Sequence, residues 1–280
     1  MAEEQEKTEA QLKPNLKKRK KEAFPFGNYK SYYGYRIGQN LVEDPRLKVF
    51  KKEWFEGKDC LDIGCNNGVV TIQIARKFNC RSMLGVDIDS DRIDDAYWNL
   101  KKATKLVVGQ SVNGLELGAS GVPKVDTEDP TSTCSSKAQN LRKVISFRQR
   151  NFIFNDHPSD KHYDTILCML YFLYCSLSVT KWIHLNWGDD GLITLFSKIW
   201  RLLRPGGMFV LEPQPWKSYE TNYTVSETTK NNFRTIKLHP EDFQDILLDK
   251  IGFRTVEDLT PGLSESNAGG FNRPIFVFQK

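Results

Sequence analysis

The chain has 280 residues, 39% of them hydrophobic, which suits one α/β domain with extra segments. Its six cysteines contain no C-x-x-C pair and its four histidines stand apart from them, so neither a disulfide framework nor a zinc or other metal site is expected. The longest apolar run, Thr165 to Leu177, falls short of the roughly 20 residues of a membrane span, no signal peptide opens the chain, and a net charge of +5 weakly favours a polyanionic partner.

Met1 to Ala23 is polar and lacks hydrophobic periodicity, so a disordered tail is expected. Its run Lys17-Lys18-Arg19-Lys20-Lys21 reads as a solvated basic tail and, more sharply, as a nuclear localisation signal or an arm that touches nucleic acid; these readings are not exclusive. From Phe24 the composition changes. FPFGNYKSYYGYR sets Phe26, Tyr32, Tyr33 and Tyr35 beside Lys30 and Arg36, a mixture suited to bases and phosphates. It reads as a lid over a ligand, against the plainer reading of a segment packed on a sheet. Asp44 to Phe55 predicts a short helix.

Lys58 to Gly68, KDCLDIGCNNG, is the stretch around which the rest of the chain is organised. Cys60-Leu61-Asp62-Ile63 predicts a buried strand, Gly64 to Gly68 a tight turn, and Val69 to about Lys77 a helix. Ser82 to Val86 predicts a second strand ending on Asp87. This strand–turn–helix–strand–acid unit is the nucleotide-binding half of a doubly wound sheet. Dinucleotide binding fits it poorly: Asn66 stands where the second glycine belongs, and the third is missing. A helix over Ile88 to Lys102 is predicted next, with Ser90 as N-cap. Ala103 to Lys143 is rich in Ser, Thr, Gly and Asn, and reads as a disordered insertion. Val144 to Phe152 predicts the third strand, and YDTILC, Tyr163 to Cys168, the fourth. Gly191 to Leu203 predicts an amphipathic helix stopped by Arg204-Pro205-Gly206-Gly207. Met208 to Glu212 predicts the fifth strand and Pro240 to Lys250 a late helix. Phe253 to Leu259 and Pro274 to Gln279 predict closing strands, with a flexible loop from Ser264 to Arg273.

The loop D-x-G-C-N-x-G resembles motif I of class I S-adenosylmethionine-dependent methyltransferases. That resemblance implies a Rossmann-like, mostly parallel seven-stranded sheet with helices on both faces, and S-adenosyl-L-methionine as cofactor. It assigns Asp62 to the amino-acid end of the cofactor and Asp87 to its ribose hydroxyls, with Gly64 and Gly68 shaping the turn. GNYKSYYGYR, LDIGCNNG, GVDID, SVTKWIHLNWGDDGL, LRPGG, VLEPQPW and GFNRP, in this order, resemble the bicoid-interacting family of RNA methyltransferases. The likeness covers about residues 24 to 280, outside 103 to 143, and reads as one methyltransferase domain. It is nearest to members that cap a small nuclear RNA of the 7SK kind. It implies methylation of a 5′-terminal γ-phosphate, nuclear localisation and ribonucleoprotein partners.

By the same resemblance Tyr33, Arg46, Cys65, Asn66, Ile88, Asn151, Phe152 and Leu177 join the cofactor set. Lys181, Tyr32 and His184 fall at the catalytic end, and Arg36, Trp182, Gln214 and Arg273 on the substrate side. Lys181 and Arg36 suit a grip on the 5′-phosphates, one as a point charge and the other as a bidentate fork. Methyl transfer to an anionic phosphate demands positioning more than a strong base. Two other readings stay open: methylation of a 5′-monophosphate, and an RNA-binding scaffold without catalysis. One departure stands out. MLYFLYCS, Met169 to Ser176, separates Cys168 from LSVTKW where the family runs almost directly on, and a faulty gene model or an unusual splice form explains it most simply.

Overall fold

A computed structural model describes Phe26 and residues 43–112, 141–155, 162–169, 179–264 and 273–280. Seven strands form one sheet in the order β3-β2-β1-β4-β5-β7-β6. The strands are β1 (Asp59–Ile63), β2 (Ser82–Asp87), β3 (Ile145–Gln149), β4 (Tyr163–Cys168), β5 (Leu203–Leu211), β6 (Thr255–Asp258) and β7 (Phe276–Gln279). The pairs β1–β2, β1–β4, β2–β3 and β4–β5 run parallel, while β7 runs antiparallel to both β5 and β6. This is the expected class I methyltransferase sheet. Its strand order reverses between β1 and β4, the point where open α/β sheets bind ligands at their carboxyl ends.

Both faces are covered at the centre of the sheet, so β2 and β4 read as nearly continuous apolar runs, whereas β3 alternates and β6 is largely exposed. Cys60 of β1 packs with Ile72, Ile74 and Phe78 of α1 (Val69–Phe78) and with Ala96 and Leu100 of α2 (Ser90–Val112). Leu61 and Ile63 point the other way, to Ile183, Leu195 and Ile199 of α3 (Val179–Leu202). Asp59 and Asp164 begin β1 and β4 at the opposite edge and pair there with Arg81 and Arg204.

Several boundaries differ from expectation. Helix α2 runs on to Val112, past the predicted break at Ala103, and residues 141–144 form a helical turn ahead of β3. The Ser, Thr, Gly and Asn content of the stretch to Lys143 taken as a whole hid that extension, whose own residues ATKLVVGQSV are half apolar. The cap of α2 is Asp89, whose Oδ1 accepts from the Asp91 N–H at 2.8 Å; Ser90 is already helical. The segment Asp44 to Phe55 holds two 3-10 turns, Pro45–Lys48 and Lys52–Trp54, instead of a helix. Helix α3 starts at Val179, well before Gly191, so KWIHLNW is helical. Its apolar face was obscured because Lys181 and His184 lie on it, both fully buried. Arg204 to Gly207 does not precede β5 but bulges within it: Leu203 pairs with Tyr163 and Met208 with Thr165. The late helix is a 3-10 turn, Pro240–Asp242, one α turn, Phe243–Asp245, and a π-helix, Ile246–Ile251. Of the departure Met169 to Ser176, Met169 is buried and the rest lies outside the described residues, as do the basic run Lys17 to Lys21 and most of the loop from Ser264.

Candidate active site

The turn after β1 is held by backbone bonds to β2: the Gly64 and Cys65 N–H groups both donate to the Val86 carbonyl, at 2.7 and 3.0 Å. Gly64, Asn66 and Gly68 all adopt positive φ, at 73°, 49° and 70°, a conformation open to glycine and tolerated by asparagine. Two of these positions also forbid a side chain. A Cβ on Gly64 would lie 2.1 Å from Val179 Cγ2, and one on Gly68 would meet Phe147 and Ala96 within 3 Å. Gly68 therefore serves helix packing, and Gly64 opens the turn toward the start of α3.

Asp87 anchors the turn from the end of β2. Its Oδ2 accepts from the Asn66 N–H at 2.9 Å and its Oδ1 from the Asp89 N–H at 3.0 Å. Burial raises its pKa to about 6, against the lowering effect of those two bonds. A carboxylate offers about four acceptor sites, so each oxygen keeps capacity for a further donor. Asp62, one strand over, accepts from Thr71 Oγ1 at 2.6 Å. Burial lifts it to about 6 as well, and neither Thr71 nor the Arg46 charge offsets that.

A cleft open to solvent lies at this edge. Gly64, Asp87, Ile88, Asn151 and Phe152 line it, together with Trp182. The structure thus brings Trp182, expected on the substrate side, into the same cleft as residues expected to hold the cofactor. Asp62, Cys65, Asn66 and Gly68 are buried and do not line it. Val179, Ile183 and Trp187 also line the cleft, and sequence reasoning missed them, although their four-residue spacing marks one helix face. Phe26 lines it too and stacks on Trp187, with centroids 6.1 Å apart, while the exposed Phe154 meets Trp187 edge-on at 5.7 Å. Tyr32, Tyr33, Arg36 and Leu177 lie outside the described residues.

S-adenosylmethionine fits this site. Asp87 suits a pair of ribose hydroxyls, the cleft walls are apolar or aromatic enough for an adenine, and two buried carboxylates favour a cationic ligand. Among the described residues no group of three or more His, Cys, Asp or Glu side chains is placed to hold a metal ion.

Arg46 does not line the cleft. It is fully buried, with Nε and Nη2 on Asp44 and Nη1 on Glu212. Those two carboxylates keep it charged in spite of its burial. It braces the segment before β1 against the end of β5. Glu212 also lies 3.9 Å from Arg273. Gln214, two residues on, is buried, and its Nε2 has no hydrogen-bond partner among the described residues.

Lys181 Nζ donates to Ser218 Oγ at 3.0 Å and lies 4.9 Å from the centroid of the Trp182 ring. His184 is not at the cleft. Its Nδ1 faces the Tyr219 hydroxyl at 3.3 Å and its Nε2 faces Asp189 Oδ1 at 2.8 Å. Both ring nitrogens face partners inside the fold.

Residues 163–280 match the sequence profile of Bicoid-interacting protein 3 (Bin3). A probable RNA methyltransferase of Arabidopsis thaliana is 58% identical over 273 residues, 94% of this chain and 83% of that protein. The U6 snRNA methylphosphate capping enzyme of Drosophila melanogaster is 36% identical, over 92% of this chain and 75% of its own length. The human 7SK snRNA methylphosphate capping enzyme is also 36% identical over 94% of this chain, which spans only 40% of that longer protein.

Proposed function

The chain belongs to the Bicoid-interacting protein 3 family, and we propose that it methylates the 5′-terminal γ-phosphate of a small nuclear RNA, with S-adenosylmethionine as donor. The observation that carries this reading is one juxtaposition at the sheet's carboxyl edge. The Asp87 cleft and the first turns of α3 share a wall through Trp182, and Lys181 is its chain neighbour.

Bound S-adenosylmethionine supplies a methyl group already activated on a sulfonium. Asp87 accepts the ribose hydroxyls, and Asp62 adds negative charge near the amino-acid end. The Gly64 turn lets backbone approach the ligand. Lys181 neutralises the 5′-phosphates and holds one oxygen in line with the methyl. A phosphate oxygen is anionic at neutral pH, so no side chain has to remove a proton. The barrier falls by orientation and by charge placed before the reaction begins.

The experiment offers the purified chain labelled S-adenosylmethionine and one RNA carrying a 5′-triphosphate, 5′-monophosphate or 5′-hydroxyl. Transfer to the triphosphate alone, at a terminal phosphate oxygen, is the expected result. Transfer confined to the monophosphate replaces this substrate with the other. Cofactor binding without transfer to any of them leaves the scaffold reading. A nuclear site of action and ribonucleoprotein partners complete the proposal. The basic run Lys17 to Lys21 is its localisation signal, and deleting the run moves the protein toward the cytoplasm without slowing turnover on a short RNA.

A further inference from the structure

Lys181 and His184 are three residues apart and share a face of α3. Opposite them lies α4 (Trp216–Asn222), which presents two consecutive polar side chains. Ser218 Oγ accepts from Lys181 Nζ at 3.0 Å, and the Tyr219 hydroxyl meets His184 Nδ1 at 3.3 Å. Lys181, His184 and Tyr219 are all fully buried. A buried ammonium and a buried imidazole are costly to keep in place without such bonds.

The same stretch of α3 is interrupted. Gly188, with φ 63° and ψ −164°, breaks the helix between His184 and Asp189. A break of this kind frees carbonyls of the preceding turn. Here they are taken up again: Asn186 Nδ2 donates to the Trp182 carbonyl at 2.9 Å, and Asn232 Nδ2, from α5 (Glu227–Thr235), to the Leu185 carbonyl at 3.0 Å. Asp189, just past the break, takes His184 Nε2 at 2.8 Å and the backbone N–H groups of Lys237 and Leu238 at 3.0 and 3.3 Å. The short turn carrying Lys181 and Trp182 is thus tied on three sides.

The protons in this chain of bonds have one consistent arrangement. Burial pushes Asp189 up, but the His184 bond and the two backbone bonds hold it below the usual carboxylate value. It is ionised and only accepts. Nε2 of His184 therefore carries hydrogen. Burial holds His184 below its ordinary value in spite of Asp189, so the ring is neutral, Nδ1 accepts, and the Tyr219 hydroxyl donates.

We infer that Ser218 and Tyr219 are positioning residues for the methyl transfer: Ser218 aims the Lys181 ammonium, and the Tyr219–His184–Asp189 chain fixes the helix turn that carries it. The inference rests on the proposed role of Lys181 at the RNA 5′-phosphates. Without the Ser218 acceptor the ammonium keeps its charge and its place over the Trp182 ring but loses one of the bonds that direct it, and a misplacement of about 1 Å costs up to a hundredfold in rate.

The test uses the full chain with Ser218→Ala, Ser218→Thr and Tyr219→Phe, the last keeping the ring stacked on Trp216. Expected for Ser218→Ala and Tyr219→Phe is a loss of about tenfold in kcat with the dissociation constant for S-adenosylmethionine unchanged. Ser218→Thr, which restores a hydroxyl, recovers most of the rate. Nitrogen NMR of labelled histidine reports a neutral, Nε2-protonated ring with a hydrogen-bonded Nδ1, and Tyr219→Phe shifts the Nδ1 signal. Full kcat in both variants, or a parallel loss of kcat and cofactor affinity, overturns the inference. Binding of a 5′-triphosphorylated against a 5′-hydroxyl oligonucleotide separates it from the reading beneath it. A wild-type chain without turnover, but with a phosphate preference that Ser218→Ala abolishes, removes the reaction and keeps the positioning. A wild-type chain with no phosphate preference removes both.

Discussion

Two pairs of buried carboxylates stand at the carboxyl edge of the sheet, and they are treated differently. Asp44 and Glu212 enclose the Arg46 guanidinium, which donates to both. Asp62 and Asp87 receive only a hydroxyl and backbone N–H groups, and both titrate near pH 6. The first pair is closed, with its cation supplied by the chain. The second is open: its bonds from Thr71, Asn66 and Asp89 come from neutral donors, and the nearby Arg46 and Arg92 charges do not offset burial. A closed pair builds the edge, and an open pair waits for a ligand that brings donors and positive charge. The contrast separates brace from binding site more sharply than burial does, because all four groups are buried.

Breaking the closed pair has the largest expected effect. Arg46→Met leaves Asp44 and Glu212 buried without their shared cation, and disruption of such a pair costs about 3–5 kcal/mol. Urea denaturation measures it, and a loss under about 1 kcal/mol would mean that the brace holds little. Removing a member of the open pair has a smaller effect of another kind. Asp87→Ala costs about 1.5–3 kcal/mol of S-adenosylmethionine affinity, through the charge-assisted bonds that it loses, while the denaturation midpoint holds or rises. Calorimetric binding decides, and unchanged affinity takes Asp87 out of the site.

The effect of pH is of similar size. The folded-state pKa of Asp62 and Asp87 is raised from 3.8 to about 6. Their contribution to the stability of the free protein is therefore present below about pH 4 and is lost as pH rises through 6. Binding of a cation runs in the opposite direction, since it needs both groups ionised. Affinity for S-adenosylmethionine should fall by about tenfold from pH 7 to pH 5 for each group that must ionise. Calorimetry at pH 5, 6 and 7 checks this, and a flat profile would show that the open pair does not sense the ligand's charge.

The half of the fold that carries the open pair was legible in the chain. Its signals are local: a buried strand, a turn requiring positive φ at Gly64 and Gly68, and an acid at the end of the next strand. Each is a backbone demand met by residues close in sequence. The α3–α4 side was much less legible. KWIHLNWGD gave no clear helical pattern, because Lys181 and His184 occupy buried positions that apolar residues usually fill. Nothing in the chain placed Ser218 against Lys181, or Asp189 against the backbone of Lys237. The closed pair was hidden for the same reason, since Arg46 and Glu212 are 166 residues apart.

By itself the sequence determined the parallel sheet, the cofactor turn and the acid beside it, since periodicity and φ preference act over a few residues. Only the tertiary structure set Arg46 between Asp44 and Glu212, His184 between Tyr219 and Asp189, and Trp182 in the cleft wall. Those placements depend on which charges burial brings together, and burial is a property of the assembled layers.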